Sequence, residues 1–149
     1  MSSPAQQADR TDWPRTLGRW LLALGLAFAG VMHLLRPEEF LAQVPSVLPA
    51  REAIVLVSGL VEISIAALLV AAQWWSISRR AVLGWAVAAF FVAVFPGNLA
   101  HWWEGTDAFG LDTDTKRLLR LPFQPVLVAW ALWSTGAWRH WRSAQRVRD

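Results

Sequence analysis

Cysteine and tyrosine are both absent from this chain of 149 residues. The first absence removes disulfides, thiolate metal ligands and cysteine nucleophiles together. It leaves the redox compartment open. Charge is scarce as well: 17% of residues are charged and 55% are hydrophobic, whereas soluble domains carry about a quarter charged residues. A disordered chain needs the opposite balance. The net charge of +3 comes from arginines at the chain ends and block ends, not from a basic stripe, which argues against a nucleic-acid module. No internal repeat and no low-complexity run is present.

What the chain does have is apolar residues in blocks. Four stand out: Trp20–Leu35, Ala53–Ser78 interrupted only by Glu62, Ala81–Trp103, and Leu121–Trp138. A helix that crosses a bilayer needs roughly 20 mostly apolar residues. The third block satisfies this outright, and the second does if one acid is tolerated. The first and fourth reach it when Thr16–Arg19 and Leu118–Arg120 extend them, because arginine can snorkel. Within the blocks Ala, Leu, Val and Gly dominate without strand-like alternation. The expected fold is an all-α integral membrane bundle of four transmembrane helices. A soluble helical domain is the alternative, and the uninterrupted third block weighs against it.

Charge orients such a bundle. Face A would hold the N-terminus, the Ser78–Arg80 turn and the C-terminus, with Arg10, Arg15, Arg19, Arg79, Arg80, Arg139, Arg142, Arg146 and Arg148. Face B would hold Arg36, Arg51, Lys116, Arg117 and Arg120. The positive-inside bias places face A in the cytoplasm. Trp13, Trp20, Trp74, Trp75, Trp138 and Trp141 near face A, and Trp102 and Trp103 near face B, fit an interfacial aromatic belt. The expected organisation is a disordered cytoplasmic N-terminus over 1–12, a four-span domain over 13–141 and a basic cytoplasmic tail over 142–149. Ala27-Phe28-Ala29-Gly30 loosely fits a signal-peptide cleavage site after Arg15 and Arg19, which would leave three spans. The apolar run continuing to Leu35 suits a span better.

The connections carry information too. Arg36–Glu52 contains Pro37, Pro45 and Pro49 among Phe40, Leu41, Val44, Val47 and Leu48. It predicts a short amphipathic helix beginning at Pro37 and lying in the face B interface. Phe40, Val44 and Leu48 would share one stripe. The short second connection predicts that spans two and three form an antiparallel hairpin.

Ionisable groups inside a membrane are costly, so each marks a candidate site. His33 falls near the face B end of span one. Glu62 lies about 12 Å below face B on span two, at about 1.5 Å per residue. Ser58 shares its helix face. Asn98 and His101, three apart, lie near the face B end of span three. Arg120 and Gln124 open span four. The strong polar groups thus collect in the face B half, and the cytoplasmic half has almost none. Bland readings stand beside these: Glu62 pairing structurally with His101 or Arg120, His33 as a hydrogen-bonded structural group, Asn98 as interhelical glue, and His101 as an interface anchor. A metal set of His33, Glu62 and His101 lacks any supporting local spacing, so no metal is expected. Pro96 should free the carbonyl of Val92, which then needs a partner. The start of span four, with Pro122 and Pro125, should present free amides beside Arg120, a favourable place for an anion.

Several runs carry a family resemblance: Ala29-Gly30-Val31-Met32-His33, Pro37-Glu38-Glu39-Phe40, Val44-Pro45-Ser46-Val47-Leu48-Pro49, Ser58-Gly59-Leu60-Val61-Glu62-Ile63, Phe95-Pro96-Gly97-Asn98 and Arg120-Leu121-Pro122-Phe123-Gln124. In order and spacing, over about residues 25–138, they resemble the DoxX-like family of small bacterial membrane proteins. The family's FPAN-type motif stands here as Phe-Pro-Gly-Asn. The resemblance implies a four-helix bundle in the bacterial inner membrane, associated with membrane redox or thiol-stress chemistry. Without cysteine, this chain cannot itself run a thiol–disulfide cycle. The expected function is therefore a non-catalytic subunit or accessory of a membrane redox or stress-response complex. It would bind a quinone or other lipid-soluble molecule, or a partner protein, in a polar pocket facing the outer leaflet, and homo-oligomerisation is open. The alternatives are an intramembrane enzyme on a lipidic substrate, with Glu62 and His101 as acid and base, and a proton-coupled carrier.

Overall fold

A computed structural model describes residues 12–146, and among them every regular element is helical. Helix α1 runs Trp13–Leu35, α2 Pro37–Leu41, α3 Arg51–Ala71, α4 Ile77–Glu104, α5 Asp114–Arg120, α6 Phe123–Ser134 and α7 Ala137–Arg146. A short 3₁₀ turn, Ala72–Trp74, closes α3. Three helical stretches, Trp13–Leu35, Arg51–Trp74 and Ile77–Glu104, are long and apolar enough to cross a membrane. Helix α1 passes without a break through Ala29-Gly30. Of the segment expected to be disordered, only Asp12 lies within the described residues. It bonds Arg15 at 3.2 Å and Arg139 at 2.9 Å.

The fourth apolar block is not one long helix. α6 has 12 residues, about 18 Å at the helical rise, against a hydrocarbon core of about 30 Å. Gly136 ends it with φ +75°, a left-handed conformation that suits glycine. The side chain of Ile77 already lies 3.0 Å from where a Cβ at Gly136 would stand. The chain then turns into α7, which presents Trp138 and Trp141 along with Arg139, Arg142 and Arg146. The expected tail beyond residue 141 is, as far as Arg146, the second half of this helix.

Spatial order differs from chain order. α1 packs along α3 and also on α6, and α6 packs on α4. α3 and α4, joined by the shortest connection between the three long helices, barely touch along their backbones. The expected hairpin therefore exists as a reversal of direction but not as a packed pair. Its two arms meet through side chains near face A only. There Ala66, Leu69 and Ala72 of α3 and its turn join Leu83 and Val87 of α4, with Leu22 and Leu26 of α1 and Ala131 of α6, in one apolar core. Toward face B the arms separate, and the space between the helices is not filled.

The interfacial helix after α1 is one short piece. α2 stops at Leu41 because Pro45 has no N–H for the carbonyl of Leu41 and disfavours helical backbone at Val44. Instead the Arg51 guanidinium gathers the carbonyls of Leu41 and Val44. Phe40 and Val44 still bury together against Val55. Val47 is 86% exposed, whereas Phe40, Val44 and Leu48 all line one cavity, so the expected stripe keeps its common face although the helix ends at Leu41.

Candidate functional site

The unfilled face B half is a cavity of about 520 Å³ between α1, α3, α4 and α6. Six of the seven residues singled out in the sequence line it: His33, Ser58, Glu62, Asn98, Arg120 and Gln124. His101 does not. It is 1% exposed, and the charges around it are those of Arg120, Arg117 and Asp107. Glu62 does not meet His101 and has no ion pair with Arg120. Its neighbour is His33. No three of His, Cys, Asp and Glu converge among the described residues.

Two glycines create the His33–Glu62 contact. Gly30 precedes His33 by three residues on α1, and Gly59 precedes Glu62 by three on α3, so each pair shares a helix face. A Cβ at Gly30 would lie 2.6 Å from the carbonyl oxygen of Gly59, and one at Gly59 would lie 2.9 Å from that of Gly30. The helices thus cross backbone to backbone, as small residues permit. His33 Nδ1 lies 2.9 Å from the carbonyl oxygen of Ala29. Since a carbonyl only accepts, Nδ1 carries a hydrogen. Glu62 Oε2 stands 3.2 Å from the same nitrogen, but off the line of that N–H, and has no hydrogen-bond partner. The contact is an electrostatic approach, and that oxygen is itself buried. Both side chains are mostly buried.

On the opposite wall, Gln124 bridges the proline region of α4. Its Nε2 donates to the carbonyl of Phe91, and its Oε1 accepts from Asn98 Nδ2 at 3.0 Å. The amide orientation follows, because the carbonyl of Phe91 requires the donor end. The carbonyl that gains a side-chain partner is thus Phe91's, one residue before the Val92 carbonyl expected from Pro96. Polar glue for Asn98 is correct in kind, with Gln124 as the partner. At the start of α6, Leu121 N bonds Leu118 O at 3.1 Å and Gln124 N bonds Leu121 O at 3.2 Å. Two of the amides expected to be free are therefore engaged.

The face B mouth is closed by the two connections, which interlock. Glu104 accepts from Ser46 N and Oγ at 3.1 and 3.0 Å. Glu39 accepts from Phe109 N at 2.7 Å, and Thr106 Oγ1 donates to Ala42 O at 3.0 Å. Buried Arg117 donates to Thr106 O at 3.0 Å and pairs with Asp107 and Asp114. Beneath this cap runs a column of rings. His33 stacks on Phe40 at 3.6 Å between centroids, Phe40 meets Phe109 edge-on at 4.8 Å, and Arg120 lies 5.2 Å over the Phe109 ring. Arg120 also donates to Gln43 Oε1 at 2.9 Å, while Gln43 Nε2 is buried without a partner. Phe40, expected in the interfacial stripe, lines the cavity. Gln43 lines it too, and Phe109 covers Phe40 from the cap; neither was visible as a site residue in the sequence, since both belong to connections. Gly97 admits one of them: a Cβ there would lie 2.7 Å from the Gln43 carbonyl oxygen, so glycine lets the cap sit directly on α4.

The face A half is less bare of polar groups than the sequence suggested. Arg19 is 2% exposed, and Ser134 and Thr135 are buried at the end of α6. Thr135 Oγ1 satisfies itself on Ala131 O at 2.7 Å.

The chain belongs to a family described as a domain of unknown function (DUF8561), which matches residues 22–135. That span takes in the crossing glycines, the cavity and α6, and stops short of α7. No curated protein matches the chain, and no solved structure does.

Proposed function

We propose that this chain is a multi-pass protein of the bacterial inner membrane, of DoxX-like type. In this reading it serves as a non-catalytic subunit or accessory of a membrane redox or stress-response complex and holds a lipid-soluble molecule such as a quinone in the face B cavity. The membrane reading is supported by the outward apolar residues of three long helices, among them Leu24, Phe28, Val57 and Val82, all more than half exposed. Burying such residues in water-free surroundings is worth about 1.5–3 kcal/mol each. The fourth crossing is made by the last turn of α5 together with α6. Residues 118–136 would span about 28 Å if helical throughout. Both termini then lie on the arginine-rich cytoplasmic side, and the cavity lies in the outer half.

One observation carries the ligand reading. Glu62 and Gln43 line the cavity, and the Oε2 of one and the Nε2 of the other lie just behind its surface, buried and without a partner, within a small side-chain rotation of a ligand. Both lie beside stacked rings at His33 and Phe40. Unpaired buried polar atoms are costly unless a ligand or water meets them. A planar ring with oxygens at its two ends matches the set: a quinol hydroxyl donates to Glu62, and a carbonyl or hydroxyl oxygen accepts from Gln43 or Arg120. The gap between α3 and α4 offers such a molecule a sideways route from the lipid. The enzyme alternative needs Glu62 and His101 to act together, and His101 lies outside the cavity lining, which favours the binding reading.

The test is extraction of bound lipids from protein purified in mild detergent, with quinone read by its absorbance. Wild type should carry quinone. Glu62→Gln should carry at least tenfold less while melting within a few degrees of wild type. Equal quinone in both proteins, or none in either, would refute the proposal.

A further inference from the structure

A second site lies at the other end of the bundle. Four guanidiniums gather at face A. Arg15 and Arg139 both bond the single carboxylate of Asp12. Arg19, one turn beyond Arg15, is 2% exposed and feels the charges of Arg80 and Asp12. The Nε atoms of Arg15, Arg19 and Arg80 are all buried and have no hydrogen-bond partner. Among the described residues one carboxylate faces these four cations, and three donors without partners call for acceptor oxygens.

Arg15 and Arg139 also form the polar end of a groove of about 710 Å³ between α4 and α6. From them it runs past Trp138 and Trp133, along Ala129 and Val128, to Phe95 and Pro125. Apart from the arginines and Gln124 at its far end, its lining is apolar or glycine. The turn at Gly136 ends α6 and folds α7 back against the first part of α4, where Ala137 packs with Ala81, Ala88 and Leu132, so Trp138 and Arg139 form the face A end of the groove.

We infer that this groove binds an anionic phospholipid of the cytoplasmic leaflet, with the phosphate at Arg15 and Arg139 and one acyl chain lying along α6. Charge selects the headgroup: Arg presents paired donors that match phosphate oxygens, and the orphaned Nε atoms of Arg19 and Arg80 add positive potential behind it. The apolar lining selects a chain over water. The inference rests on the membrane reading above but not on the ligand of the face B cavity.

The test uses the full chain in a neutral detergent and reads melting temperature. Dioleoyl phosphatidylglycerol at about a hundredfold excess over Kd should raise it by about 5–10 °C. Dioleoyl phosphatidylcholine and inorganic phosphate should each leave it unchanged. The double variant Arg15→Gln/Arg139→Gln should lose the rise. Ala129→Trp, which fills the groove from an exposed position and leaves every arginine in place, should lose it too. It keeps the inference testable if the arginine variant fails to fold. An equal rise with phosphatidylcholine, a full rise with phosphate alone, or a full rise retained by Ala129→Trp would overturn the inference. Alkaline carbonate extraction of native membranes separates this failure from that of the membrane reading: release of the wild-type chain into the aqueous fraction sinks that reading and the inference with it, whereas retention together with any of the three results above sinks the inference alone.

Discussion

Replacing Gly59 with alanine tests whether the α1–α3 crossing holds the site together. The added Cβ would stand 2.6 Å from His33 Cβ and 2.9 Å from the Gly30 carbonyl oxygen. Carbon atoms pack at about 3.5–4.0 Å, so the helices must separate by roughly 1 Å at this point. Neither neighbour is the far end of a flexible side chain, so the strain falls on backbone and on the root of His33. A gap of that size forfeits a quarter to a half of the attraction between facing atoms, and overpacking of this kind costs about 1–3 kcal/mol. For a chain of this size the melting temperature should fall by roughly 3–10 °C. Gly25 supplies the control, because nothing lies within 4 Å of a Cβ there. Gly25→Ala should be neutral or stabilising by up to about 1 kcal/mol, the helix preference of alanine over glycine. Thermal melts of both variants in one detergent, with quinone retention measured alongside, decide the matter. If Gly59→Ala melts with or above Gly25→Ala and keeps its quinone, the crossing does not position His33 against Glu62, and the reasoning is wrong.

Gln124→Leu should cost about 2–4 kcal/mol, since it strands both the Phe91 carbonyl and the Asn98 amide in a buried place. Asn98→Ala should cost less, because Gln124 then loses only one of its two bonds, and denaturant titration in micelles would rank the two. The Lys116 ammonium, 2.6 Å from Asp112, holds that carboxyl below its ordinary range through its hydrogen bond and its charge. A depressed carboxyl favours the folded state above its unfolded pKa and loses that contribution as pH falls through the folded value. Lys116→Ala should therefore move the Asp112 titration upward, as NMR of the side-chain carbonyl carbon would report. Reporter fusions should place Asp112 outside and Ser78 inside, and an external reporter at Ser78 would contradict the proposed orientation.

Much of this was legible in the residues. The apolar blocks gave three long helices at nearly their observed positions, because length and composition decide a helix that need not choose a wet face. The gathering of His33, Ser58, Glu62, Asn98, Arg120 and Gln124 followed from depth, since every one sits in the face B half of its helix. Depth does not give rotation about the helix axis, and that is where the reading failed. His101 is one turn from Asn98 yet lies outside the lining, and Glu62 turned to His33 because the glycines brought α1, not α4, against α3. The break at Gly136 was hidden because Ala137 and Trp138 carry the apolar run two residues past it before the arginines of α7 begin. Arg19 reads in the sequence as a snorkelling flank, because only the packed helices show it buried beside Arg80. The cap residues escaped notice because their importance comes from contacts 58–77 positions apart along the chain.

The order α3–α1–α6–α4 has a consequence for how the protein is made. Synthesis runs from the N-terminus, so α1, α3 and α4 all emerge before the helix that joins α1 to α4. Until α6 arrives, Asn98 and the Phe91 carbonyl lack the one side chain that satisfies them both, and α4 has little to hold it beside α3. The nascent chain must therefore keep a place open between its first and third long helices. A ribosome-bound product ending near residue 113 should remain accessible to quality-control proteases, and one carrying α6 should escape them.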